Sequence, residues 1–259
     1  MMKRFLVPTD FTDSSIFAIS SAAGLAEKLD AEVILLHVLD EPTDADDLAN
    51  EVERVLKMAE LKELRYHYKQ ISGDVVDSIV EQQVDLIIMG SEGAKGLESF
   101  FVGTNAEKVA KQAECPVVIV KTRTDLTSID KIVFPTNMNR EDDKMIEELK
   151  FLQLVFGSKV HIVKAFDDTL VSQRDVEKRL TDFAEFHQIK DYSVSAIAGI
   201  DEGELILHYA EKEMADLLLL ATHNRKGLDR IFAGHISTEV INESNIPIWT
   251  KSIDLPSLQ

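Results

Sequence analysis

The chain has 259 residues, 45% of them hydrophobic, and carries 28 basic against 46 acidic residues. The resulting net charge of −18 argues against nucleic acid or an anionic membrane as the main partner, since both require a concentrated positive face. The single cysteine, Cys115, excludes an internal disulfide, and no apolar run approaches the roughly 18 residues that a membrane-spanning helix needs. We therefore expect a cytoplasmic protein with no nucleic-acid partner and no membrane contact.

Strands and helices alternate along the first half, which is typical of a parallel sheet with helices on both faces. The predicted strands are Arg4–Pro8, Val33–Val38, Tyr66–Ile71, Val84–Met89 and Val117–Val120. The predicted helices are one capped by Thr12 or Asp13, an acidic one over about 45–64, a short one opened by Gly73, and one over Gly103–Ala113. A short polar linker, Thr122–Asp130, separates this half from the next.

The second half repeats the first. Val7-Pro8-Thr9-Asp10 corresponds to Phe134-Pro135-Thr136-Asn137 at an offset of 127 positions, and Cys115-Pro116-Val117 corresponds to Ile246-Pro247-Ile248 at an offset of 131. Because an internal repeat decides the architecture, the chain is predicted to hold two tandem α/β domains. Each is expected to be doubly wound around a five-stranded parallel sheet with helices on both faces.

The two domains are predicted over residues 1–122 and 131–252. The four residues by which the offset grows fall between Ile206 and Asp216, where the first half has only Ile79 to Asp85. Since four residues make about one helical turn, we expect the third helix to be one turn longer in the second domain.

A glycine pattern follows the apolar run Leu86–Met89. Gly90, Gly93, Gly103 and Thr104 form G-x2-G-x9-G-[ST]. Glycines at the carboxyl end of a buried strand let backbone N–H groups close on an anion, and a helix starting at Gly103-Thr104 would direct its positive end there. The pattern predicts a phosphate-binding loop in the first domain.

The second domain has lost most of this pattern. Ala221 and Asn224 replace two of the glycines, and Asn137 replaces Asp10. A Cβ atom at such turns obstructs a phosphate, so this domain is predicted to be free of nucleotide. Basic residues lie close to this position in the sequence: His223, Arg225, Lys226 and Arg230. They leave open the binding of an anion or another small ligand, and a solvated basic face is the alternative.

Several of these segments together resemble the universal stress protein family. They are Val7-Pro8-Thr9-Asp10-Phe11, the strand ending His37-Val38, the glycine motif from Met89 to Thr104, and the stretch from Glu107 through Val117. The resemblance covers nearly the whole chain twice. It implies a tandem member whose domains have the adenine nucleotide alpha hydrolase-like fold, and an ATP-binding stress-response role. ADP and AMP remain alternatives, and Mg²⁺ is a conceivable companion ion.

The resemblance also assigns the binding residues. It places Asp10 and the backbone of Val38 near the adenine, and Gly90 and Gly93 along the ribose and phosphates. Gly103, Thr104 and Asn105 would hold the phosphate end. The full predicted set is Thr9, Asp10, Val38, Met89, Gly90, Gly93, Gly103, Thr104 and Asn105.

One departure from the family pattern concerns charge. Glu92-Gly93-Ala94 stands where many members place a histidine and a basic residue, and a carboxylate near a polyphosphate reduces affinity unless a divalent ion lies between them.

No residue supplies a convincing catalytic base, although Glu92 and Asp10 are conceivable, so binding without turnover is predicted. Slow ATP hydrolysis, and a nucleotide-free scaffold or carrier of another small ligand, are the alternatives.

The last strand of each half is an apolar edge. Pro116–Val120 and Pro247–Thr250 would invite pairing with other chains if left open. Family members commonly pair through this strand, so the resemblance implies an intramolecular pseudo-dimer, with Trp249 at its interface or, alternatively, in its own domain core. Further assembly into a homodimer stays open.

Overall fold

The computed structural model describes residues 3–39, 52–55, 57, 64–91, 105–138, 143–166, 171–222, 240 and 243–253. The chain divides into two units, Met1–Thr127 and Ser128–Gln259. Along the described segments, no helix combines the length and the apolar character needed to cross a bilayer.

The N-terminal unit contains one parallel sheet. Its strands are β1 (Arg4–Pro8), β2 (Glu32–Leu39), β3 (Tyr66–Ser72), β4 (Leu86–Gly90) and β5 (Val117–Val120). They pair in the order β3-β2-β1-β4-β5. The helices are α1 (Asp13–Leu29), α2 (Val75–Val80) and α3 (Asn105–Gln112). The order of the strands reverses at β1, which lies between β2 and β4.

The C-terminal unit repeats this arrangement. Its strands are β6 (Lys131–Pro135), β7 (Lys159–Phe166), β8 (Tyr192–Ala198), β9 (Leu217–Thr222) and β10 (Ile248–Ser252), paired in the order β8-β7-β6-β9-β10. The helices are α4 (Asp143–Phe156), α5 (Gln173–Phe186) and α6 (Glu202–Lys212). These two sheets confirm the predicted fold class, including parallel pairing throughout.

The predicted difference in the third helix is also confirmed. α2 has 6 residues and α6 has 11. Both begin at an aspartate whose side chain accepts hydrogen bonds from the first turn, Asp74 in α2 and Asp201 in α6. Of the predicted acidic helix over 45–64, residues 52–55 and 57 are helical and the rest lies outside the described residues.

Apolar side chains on both faces of each sheet form the core. Every residue of β5 is buried, as are Leu86 to Met89 of β4. Strands covered on both sides need continuous apolar runs rather than alternation, which explains why these segments read as uninterrupted hydrophobic stretches. α1 contributes a buried stripe at helical spacing, Ile16, Ile19, Ala23 and Ala26.

In each unit an aspartate side chain accepts hydrogen bonds from the backbone at the start of the central strand. Asp85 Oδ2 accepts hydrogen bonds from the backbone N–H groups of Lys3 (2.8 Å) and Arg4 (2.9 Å). Asp216, 131 positions later, does the same for Asp130 (3.0 Å) and Lys131 (2.9 Å). The sequence repeat is therefore also a repeat of individual hydrogen bonds.

Candidate functional site

A crevice opens at the carboxyl edge of the N-terminal sheet, where β1 and β4 lie side by side. Ligands of open parallel sheets bind at this kind of reversal. The crevice encloses about 370 Å³, within the usual range for small-molecule sites. It is lined by Pro8, Thr9, Asp10, Ser14, Ser15, Leu36, Val38, Val75, Ile79, Met89, Gly90, Ser91, Asn105 and Ala106.

Six of the nine residues in the predicted binding set line this crevice: Thr9, Asp10, Val38, Met89, Gly90 and Asn105. The other three, Gly93, Gly103 and Thr104, lie outside the described residues. The structure therefore brings the strand-end members of the set together with Asn105 at the start of α3.

A tight turn after β1 positions Asp10. Thr9 is buried, and its hydroxyl accepts a hydrogen bond from the backbone N–H of Phe11 (3.2 Å) and lies 3.1 Å from the Ser15 hydroxyl. Phe11 has a φ of 63°, a left-handed conformation that is uncommon for a residue with a side chain. The turn directs the chain from the end of β1 into α1 within four residues.

Asp10 is held as a carboxylate. Its Oδ1 accepts hydrogen bonds from the hydroxyl of Thr12 (2.6 Å) and from the backbone N–H of Thr12 (3.1 Å). Partial burial alone raises the pKa of a carboxyl, but these hydrogen bonds outweigh it and the pKa of Asp10 lies below its usual 3.8. At neutral pH Asp10 therefore places a fixed negative charge in the crevice, and its carboxylate can accept hydrogen bonds from a ligand.

The lining combines an apolar and a polar set of side chains. The apolar set comes from β2, α2 and β4: Leu36, Val38, Val75, Ile79 and Met89. Hydroxyl and amide groups come from Ser14, Ser15, Ser91 and Asn105. Asn105 and Ala106 are the first described residues of α3, so the partial positive charge of this helix end lies at the crevice.

Gly90 is required by packing as well as by the crevice. A Cβ atom at this position would lie 2.1 Å from the carbonyl oxygen of Ser14, 2.3 Å from the Ser14 carbonyl carbon and 2.9 Å from the Ser15 nitrogen. These are backbone atoms in the first turn of α1, which cannot rotate away as a side chain does. Glycine thus lets α1 begin against the end of β4.

Sequence reasoning missed the contributions of two helix beginnings and one residue that follows a strand. Ser14 and Ser15 lie in the first turn of α1, Val75 opens α2, and Ser91 directly follows β4. These residues share only their position at the carboxyl edge of the sheet, where helices begin in a parallel α/β unit. The sequence can locate that edge, but it does not show which residues of the edge line the crevice.

The corresponding turn in the C-terminal unit has the same backbone and different chemistry. Thr136 accepts a hydrogen bond from the N–H of Met138 (2.8 Å), and Met138 has a φ of 58°. The side chain at the position of Asp10 is Asn137, and its Oδ1 accepts a hydrogen bond from the Lys164 ammonium. Lys164 also lies 4.0 Å from a Glu202 carboxylate oxygen. Asn137 is thus already engaged by its own domain.

Other parts of the second motif, including Asn224 and the basic group from His223 to Arg230, lie outside the described residues. Within the part of the chain that is described, no group of three or more His, Cys, Asp or Glu side chains could hold a metal ion.

Comparison with known proteins places this architecture in a family. The family model described as Universal stress protein family matches residues 1–121 and again 128–250. Universal stress protein MJ0531 of Methanocaldococcus jannaschii is 34% identical over 141 aligned positions, which cover 47% of this chain and 83% of that protein.

Two solved structures share the fold over almost the full length. One is a universal stress protein from Archaeoglobus fulgidus DSM 4304, with a TM-score of 0.74, 22% identity and 96% of each chain covered. The other is a functionally unknown protein, PA1789, from Pseudomonas aeruginosa PAO1, with a TM-score of 0.71, 17% identity, and 97% of this chain and 93% of that chain covered. The chain belongs to the universal stress protein family, with two family domains in tandem.

Proposed function

We propose that this chain is a cytoplasmic stress-response protein whose N-terminal domain, residues 1–122, binds one adenine nucleotide, either ATP or the related ADP or AMP. The observation that supports this most is the crevice of about 370 Å³ at the end of β1 and β4. It combines an apolar wall, an ionised Asp10 and the N-terminal end of α3. A nucleotide offers the matching parts: a flat base, donor groups on the base and ribose, and an anionic tail.

The proposed orientation follows the distribution of charge. The phosphates are proposed to lie toward Asn105 at the N-terminal end of α3, because a helix N-terminus stabilises anions, and Gly93, Gly103 and Thr104 of the predicted set would bind the same groups. The base and ribose lie toward Val38, Met89 and Asp10, since a carboxylate accepts hydrogen bonds and repels phosphate. Mg²⁺ would separate the phosphates from the carboxylate of Glu92.

The C-terminal domain, residues 131–252, is proposed to be a structural or regulatory partner without nucleotide. Its Asn137 is bonded to Lys164, and Ala221 carries a Cβ atom at the position of Gly90. We also propose that β5 and β10, the apolar last strands, join the two domains as a pseudo-dimer. The output would be a difference between the nucleotide-bound and free states that other proteins recognise.

Binding without turnover fits the chemistry of Asp10. A general base is most effective when its pKa lies near the working pH, and the pKa of Asp10 is lowered by its hydrogen bonds to Thr12. Asp10 is therefore a poor candidate for activating water. Slow hydrolysis through Glu92 is the second candidate, and turnover that is lost in Glu92→Gln with binding retained would favour it.

Calorimetry on a matched pair of variants tests the proposal. Asp10→Ala should weaken ATP binding by about tenfold or more, because a hydrogen bond to a charged group contributes about 1.5–3 kcal/mol. Asn137→Ala, the corresponding change in the second domain, should leave affinity and stoichiometry unchanged. Equal effects of the two changes would contradict the assignment to the first domain.

A further inference from the structure

A group of buried and half-buried polar side chains lies inside the C-terminal domain. His161 of β7, Ser195 of β8 and Tyr209 of α6 form its centre. The Tyr209 hydroxyl lies 2.9 Å from the Ser195 hydroxyl and 3.4 Å from His161 Nδ1. The two rings are also in edge contact, with centroids 6.4 Å apart. This group connects α6 to β7 and β8.

His161 is the incompletely bonded member of the group. Its side chain is 9% exposed, and its Nε2 has no hydrogen-bond partner among the described residues. The neighbouring position in the β7–β8 register is Ser193, whose buried hydroxyl also lacks a partner there. In the first domain the corresponding residue is Ile34, 127 positions earlier, so the polar group is a feature of the second repeat.

Charges of both signs surround the imidazole. Glu213, at the end of α6, places a carboxylate oxygen 3.9 Å from Nδ1. Asp191, before β8, adds a second negative charge, while Lys159 on β7 and Lys131 on β6 are positive. Lys131 also donates a hydrogen bond to the backbone carbonyl of Glu213 (2.9 Å). Burial is the largest influence and lowers the pKa of His161 below its usual 6.5, with the carboxylates opposing that shift.

A second proton on His161 changes the hydrogen-bond requirements of the group. In an imidazolium both ring nitrogens donate, so Nε2 would carry a buried charged donor with no acceptor among the described residues. A charged donor that is buried without an acceptor raises the free energy of the packed state. Separation of α6 from β7 would admit water, which can accept the hydrogen bond.

We propose that His161 makes the packing of α6 against β7 and β8 acid-sensitive, so that protonation of its imidazole loosens this helix. The C-terminal domain thereby gains a response of its own that needs no bound ligand. The sign follows from linkage: a histidine that is harder to protonate when packed favours the packed state above about pH 6.5, and this advantage is lost as the pH falls below that value.

Hydrogen exchange with mass spectrometry on the full chain tests this. The loosened state exposes His161 to water, where its pKa is about 6.5, so the opening equilibrium of α6 should rise by up to about tenfold between about pH 7.5 and about pH 5.5. Rates are corrected for the intrinsic pH dependence of exchange. His161→Ile, which installs the residue of the first repeat, should abolish the rise.

His208→Gln is the matched control. His208 lies on the same helix but is exposed, so this variant should keep the wild-type acid response. A rise of equal size in His161→Ile, or its absence in the wild type, would overturn the proposal. Should His161→Ile fail to fold, NMR titration of the wild-type imidazoles decides: His161 must gain its proton together with the loss of protection in α6, and titration near pH 6.5 with α6 unchanged refutes the coupling.

Discussion

Substitution of Gly90 by alanine probes how the crevice is built. A Cβ atom there would lie 2.1 Å from the Ser14 carbonyl oxygen, and real Cβ atoms essentially never come closer than 3.0 Å to such an atom. The first turn of α1 must therefore move back by about 1 Å, which is the strain that overpacking places on a core. We expect Gly90→Ala to lower the free energy of unfolding by about 1–3 kcal/mol.

The same displacement should weaken nucleotide binding, because Ser14 and Ser15 line the crevice. Loss of one hydrogen bond of about 0.5–1.5 kcal/mol corresponds to a roughly two- to tenfold weaker affinity. Urea unfolding followed by circular dichroism measures the stability, where about 2 kcal/mol shifts the midpoint by about 1 M. Calorimetry with ATP measures the affinity.

Gly199→Ala is the control for adding a methyl group. Its Cβ atom would meet the Leu205 side chain at 2.7 Å, and the end of a leucine side chain can rotate away. We expect a shift of less than about 1 kcal/mol for this variant. If Gly90→Ala leaves both the urea midpoint and the ATP affinity at wild-type values, the packing role assigned to Gly90 is wrong.

Three further outcomes are expected. Asp85→Asn and Asp216→Asn should each lower the free energy of unfolding by about 1 kcal/mol in urea denaturation, because each aspartate accepts two backbone hydrogen bonds at the start of a central strand. The stability that Asp85 and Asp10 contribute should fall below about pH 3.9 in acid unfolding followed by circular dichroism. Burial raises the pKa of both carboxyls, but their hydrogen bonds outweigh it and lower both pKa values, so this contribution is complete above the unfolded pKa and is lost as the pH falls through the folded one. Ala221→Gly should leave the stoichiometry of ATP binding in calorimetry unchanged, since Asn137 stays bonded to Lys164, and a second site would contradict this.

The architecture was accessible from sequence because several local signals agree. Continuous apolar runs fix β1 and β5 at their predicted limits, Arg4–Pro8 and Val117–Val120. β4 begins at Leu86 instead of the predicted Val84. Asp85, which directly precedes the strand, accepts hydrogen bonds from the backbone at the start of β1, and periodicity cannot reveal such a contact between residues 81 or more positions apart.

The site was accessible only in part. Strand-end residues such as Asp10 and Met89 follow from the motif and the resemblance, and both line the crevice. Ser14, Val75 and Ile79 come from helices whose convergence depends on the order of the strands, which no local pattern specifies. The hydrogen bond from Lys164 to Asn137 likewise joins residues 27 positions apart. The sequence alone therefore could not show that Asn137 is already bonded within its own domain.

Native mass spectrometry of freshly purified protein tests the central proposal most directly, because it reports the identity and number of bound molecules on each chain. We expect the added mass of one adenine nucleotide per chain, and its loss in Asp10→Ala but not in Asn137→Ala. Two nucleotides per chain, or none after incubation with ATP, would contradict a single site at the ends of β1 and β4.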